Sequence, residues 1–86
     1  MVDVEVLIML TAQDTVFLTW CRITGHNEAD FGEDERDAFR ARPQVRELSR
    51  TPYAVLLHAG ITAGRPGSLP LERWLSAVRG MELAAA

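Results

Sequence analysis

The chain contains no lysine: its nine basic residues are all arginine, against 12 acids in 86 residues, for a formal net charge of −3. With no ε-amino group there is no Schiff-base nucleophile and no phosphate-loop lysine, and every cation is a planar, permanently charged guanidinium. Cysteine occurs once, at Cys21, so an internal disulfide, a Cys-x-x-Cys pair and a thiolate zinc set are all excluded. A reducing compartment, the cytoplasm, is the expected setting. Long apolar runs are also missing, because the stretch from Val4 to Ile23 is interrupted by Glu5, Gln13, Asp14 and Arg22. The first residues carry Asp3 and Glu5 where an export signal needs bases, so neither secretion nor a membrane partner is expected.

What is present bounds the fold. A chain of this length is expected to form one small globular domain over 1–86, and such domains bury only roughly 60–65% of the surface their unfolded chain exposes. The hydrophobic fraction is 48%, much of it in short runs that a single small core does not fully hide. Burial against a second copy follows as an expectation.

Val2, Val4, Val6, Ile8 and Leu10 alternate with Asp3, Glu5, Leu7 and Met9, and this period of two predicts a strand over 2–10. The insert Thr11-Ala12-Gln13-Asp14 has two readings. As a capping box it opens a helix with Val16, Phe17, Trp20 and Cys21 on one side, closed by Gly25. As a hairpin loop it joins the first strand to a second over 15–24, which is rich in β-branched and aromatic residues. The balance of residues favours the hairpin.

Gly25 to Gly32 lacks periodicity and reads as an exposed loop. A helix is predicted over about 33–50, with Glu33, Asp34, Glu35 and Asp37 early and Arg42, Arg46 and Arg50 late, as the helix dipole favours. Pro43 kinks or restarts it. The apolar run Tyr53–Ala59 predicts a short buried strand over about 53–59, with a short helix after Thr51-Pro52 as competitor. Leu71, Trp74, Leu75 and Val78 fall at helical spacing in a last helix over about 69–80. The expected class is therefore α+β, a small two-layer fold, with all-α as the alternative.

No catalytic, cofactor or metal site is expected. Cys21, His26 and His58 are the only soft or imidazole ligands, and their spacing fits no compact metal or nucleophile motif. A Cys21–His58 dyad competes with the plainer reading of a core thiol and a satisfied histidine. The acids Glu28, Asp30, Glu33, Asp34 and Glu35 do not follow a calcium-loop pattern and read as a solvated loop and helix start. The stretch from Gly60 to Ser68 leads towards a helix N-terminus, where Arg65 and Ser68 offer an anion site, although it matches neither of the usual glycine-rich phosphate patterns.

Arg42, Arg46 and Arg50, four apart, are the candidate partner-binding residues, sharing a face if the helix is continuous. Residues 36–50 hold five arginines against Asp37 and Glu47, net +3, inside an acidic chain of pI near 5.2. Bulk charge disfavours nucleic acid, and an acidic protein surface suits the row better. The expected function is a non-enzymatic protein-interaction or regulatory module acting as a homodimer through the edge strand at 2–10. An arginine-only, alanine- and glycine-rich composition fits GC-rich coding and a bacterial or phage source. The order of helix, Thr24-Gly25, polar loop, apolar helix and glycine-rich turn into Leu71-Glu72-Arg73-Trp74-Leu75 resembles small tail-assembly chaperones of phages over about residues 11–78. That resemblance implies an all-helical fold and an assembly function. A nucleic-acid-binding regulator using the Arg42/Arg46/Arg50 face is the remaining alternative.

Overall fold

From Met1 to Thr24 the chain has neither glycine nor proline, and a helix once started meets nothing that stops it. The computed structural model describes the backbone of residues 4–85 and the side chains of 12–83, and its first element, α1 (Val4–Thr24), runs unbroken. It ends at Gly25, whose φ of 79° supplies the left-handed turn that a side chain resists. A 3-10 turn (Glu28–Asp30), α2 (Glu33–Arg40), α3 (Pro43–Leu48), α4 (Tyr53–Ala63) and α5 (Leu71–Ala85) complete the order.

The α+β expectation is overturned, since the described residues form five helices and no strand. Residues 4–10 of the expected strand are the first turns of α1, and residues 2–3 lie outside the described residues. The insert at 11–14 is neither loop nor cap but mid-helix. The reason is visible in burial: Gln13, Val16, Phe17, Cys21 and Thr24 are buried and Trp20 half-buried, a set spaced 3, 1, 3, 1 and 3 residues apart. That is one helical stripe. β-branched residues carry little penalty when packing decides, and the hydroxyls of Thr19 and Thr24 donate back to the carbonyls of Thr15 (2.6 Å) and Trp20 (2.8 Å).

The strand expected at 53–59 is also a helix, and it continues through Gly60 to a C-cap at Gly64. A strand would have buried Val55 and Leu57 together. Helical phase instead buries Leu56, Ala59 and Gly60. The helix expected over 33–50 is two pieces: α2 ends at Arg40 and Pro43 opens α3 as its first residue, with Arg42 in extended geometry before it. The expected last helix is present as α5, with Leu71, Trp74, Leu75 and Val78 buried.

One core joins α1, α3, α4 and α5 around Trp74, with Val16, Val45, Leu48, Leu56 and Ala59 against it. The Trp74 indole Nε1 donates to the Leu56 carbonyl (2.9 Å) and that of Trp20 to Leu69 (2.9 Å), so both indoles are satisfied where they are buried. A second aromatic group lies between α1 and α2, where the Phe17 ring meets Phe31 (5.4 Å) and Phe39 (5.3 Å) edge-on. It anchors the acidic loop.

Candidate functional site

The three arginines singled out from the sequence do not form one helical row. Arg42 caps the start of α3, Arg46 alone lies within it, and Arg50 follows the C-cap Ser49. All three are exposed and make no ion pair with a described residue. Arg42 borders a cavity of about 490 Å³ with Trp20, Phe39, Leu69 and Glu72, which neither Arg46 nor Arg50 lines. The other two arginines of the 36–50 segment are already committed. Arg40 bridges Asp14 (2.7 Å) and Asp37 (2.9 Å), and Arg36 lies over the Phe17 ring (5.5 Å) while donating to the Glu28 carbonyl (2.9 Å).

The acidic loop is a folded element. Asn27 accepts from the Ala29 amide (3.1 Å) to cap the 3-10 turn, and Phe31 packs on Phe17 and Trp20. Among the described residues no group of three His, Cys, Asp or Glu side chains is placed to hold a metal ion. The stretch from Gly60 to Ser68 divides. Its first four residues belong to α4, and the remainder is a turn in which the amides of Arg65 and Ser68 bond each other's carbonyls (both 3.0 Å). The Gly67 amide donates to the Thr24 carbonyl (2.8 Å), so these amides are spent within the fold and not directed at an anion.

Cys21 is buried on the inner face of α1, whereas His58 is exposed on α4, and no hydrogen bond joins them; His26 instead stacks on Trp20 at 5.1 Å. Desolvation by burial, reinforced by the Glu28 charge and opposed by Arg36, pushes the Cys21 thiol above its ordinary value. A thiol that titrates higher folded than unfolded contributes stability that is complete below about pH 8.5 and is lost as pH rises through the folded value. Thiol-reagent labelling of native protein at pH 7.5 is therefore expected to be much slower than in urea, and urea unfolding at pH 10 to show a lower midpoint than at pH 7.5. Labelling at the unfolded rate would contradict this.

The surface that sequence reasoning missed is the outer face of α1 and α4. Tyr53, Leu57 and Ile61 repeat every four residues along α4, and Leu18 lies on α1 beside Tyr53. Leu18, Tyr53 and Ile61 are 46%, 47% and 62% exposed, three of the four large apolar side chains exposed among the described residues. Three depressions of about 170, 210 and 360 Å³ run along this face and share lining residues: Thr15 and Tyr53 join the first two, Arg22 the last two. Arg22 and Arg65 flank the largest, which is walled by Leu57 and Ile61. Among the described residues no acid lines any of the three, and neither arginine has an ion-pair partner. The four-residue repeat of Tyr53, Leu57 and Ile61 was the available signal, and it is readable only once 53–63 is known to be helical.

Comparison with known proteins returns no matching family model, no matching curated protein and no matching solved structure. None of the described helices is long and apolar enough to cross a membrane.

Proposed function

We propose that this chain is a small, non-enzymatic, phage-type assembly factor of the tail-assembly-chaperone kind, working in the cytoplasm by binding a protein client. The observation that carries the reading is the all-helical fold, with its helices and its glycine-rich turn into Leu71-Glu72-Arg73-Trp74-Leu75 in the order that the resemblance implies. An apolar α1–α4 face with no described partner supports it, because exposed apolar patches rimmed by polar groups mark protein contacts. The argument for a homodimer through an edge strand goes with the strand itself, since residues 4–10 are helical. The test is co-expression with the products of the genes that flank its own, which under this reading include structural tail proteins. A stoichiometric complex by size-exclusion chromatography with light scattering is expected, and a chain that stays free of every one of them would overturn the reading.

Arg42, Arg46 and Arg50 enter this proposal as a second, polar contact for an acidic client. Changing all three to Gln is expected to leave the melting midpoint unchanged, because exposed charges contribute little to stability. Client affinity falls, more at low salt than at high. Duplex DNA titrated against both proteins gives no binding under this reading. A linear fall of log affinity with log salt, its slope shrinking by about one per arginine removed, would place the row on nucleic acid instead.

A further inference from the structure

We infer that the α1–α4 groove binds one short amphipathic helix of a client protein, apolar on its inner face and carrying carboxylates that pair with Arg22 and Arg65. The inference rests on the assembly-factor reading and names the chemistry of its client. Tyr53 and Ile61 lie eight steps apart on α4 with Leu57 midway, about 12 Å at 1.5 Å per step, which matches two to three turns of an incoming helix. Apolar side chains at i, i+3 or i+4 and i+7 are what such a groove receives.

Charge decides which helix. At one end of the groove stand two guanidiniums, exposed and without a described partner, in a chain whose net charge is −3. Both are forks suited to carboxylates. A second copy using the same face is disfavoured, since a two-fold pairing sets groove against groove and would bring four arginines into an interface whose described lining holds no acid. Pairing the groove with residues 28–35 of another copy would be a head-to-tail contact building a ring or a filament, and that segment is a 3-10 turn and the start of α2 held by Phe31 on Phe17, with no apolar helical face to fill the groove. An acidic client helix meets neither difficulty.

The probe is a 14-residue helical peptide with Leu at i, i+3, i+4 and i+7 and two Glu near one end, compared by fluorescence anisotropy with its Glu→Lys counterpart. The wild-type chain is expected to bind the Glu peptide at least tenfold more tightly, with the margin shrinking at high salt. The Arg22→Glu/Arg65→Glu variant inverts the preference, and Ile61→Asp weakens both peptides at least tenfold. Circular dichroism melts of both variants stay close to wild type, since all three side chains are exposed. Equal binding of the two peptides, or a charge-reversed variant with unchanged preference, overturns the proposal. So does a concentration-dependent dimer that Ile61→Asp dissociates, because a second copy would then own the groove. The two readings fail separately. A client complex that forms equally well with the charge-reversed variant removes the groove and leaves the assembly factor, whereas charge-selective peptide binding with no client captured does the reverse.

Discussion

Trp74→Ala is expected to cost about 3–5 kcal/mol and to leave most of the protein unfolded at 37 °C. The indole is fully buried against α4, beside Leu56 and Gly60, in the cluster that joins α1, α3, α4 and α5. Its truncation opens a cavity at the centre of that cluster, and the space cannot collapse without moving a helix. The Leu56 carbonyl also loses the indole donor at 2.9 Å. For a domain of this size the total stability is of order 5–10 kcal/mol, so the loss is a large part of it. Urea unfolding followed by far-ultraviolet circular dichroism measures the effect. Trp74→Phe, which keeps a ring but not the hydrogen bond, is expected to fall between. A Trp74→Ala protein that melts cooperatively near the wild-type midpoint would show α5 to be peripheral.

The second large effect is a reversal of sign between two glycines. Gly80 lies inside α5 with nothing within 4 Å of where a Cβ would stand, so Gly80→Ala should gain up to about 1 kcal/mol from helix propensity. At Gly64 a Cβ would lie 2.8 Å from the Gly60 carbonyl oxygen and 2.8 Å from Ile23 Cγ2. Backbone cannot swing aside as a side-chain end does. Gly64→Ala is therefore expected to lose about 1–3 kcal/mol by overpacking at the α1–α4 contact. Thermal melts of the two single variants decide it, and a stabilised Gly64→Ala would mean that the end of α4 sits further from α1. Gly60 belongs to the same contact, because a Cβ there would meet Ile23 Cδ1 and come within 3.1 Å of Trp74 Nε1.

These glycines show why α4 was hard to read. In the sequence, Gly60 punctuates a short apolar run and looks like its end. In the structure it is buried mid-helix, kept small so that α1 and Trp74 can approach. The first 24 residues misled for a related reason. Alternation of Val and Ile with acids is a valid strand signal when one face of a sheet is buried, but among the described side chains of α1 the buried stripe from Gln13 to Thr24 repeats at helical spacing. The absence of glycine and proline before Gly25 was the better cue.

By itself the sequence determined what depends on local chemistry and spacing. Leu71, Trp74, Leu75 and Val78 mark the buried face of α5 because helical period alone brings them together, and Pro43 divides α2 from α3 because its ring and missing N–H act on adjacent residues. Cysteine and lysine usage excluded whole classes of chemistry in the same way. Tertiary structure alone decided which faces of α1 and α4 stay uncovered. That Leu56 and Ala59 turn fully inward while Leu57 faces the groove depends on packing against Trp74, a residue on another helix. That choice leaves Tyr53, Leu57 and Ile61 outside and brings Arg22 and Arg65, remote in the chain, to one groove. No local period encodes such a meeting, because it follows from where α4 is held against α1.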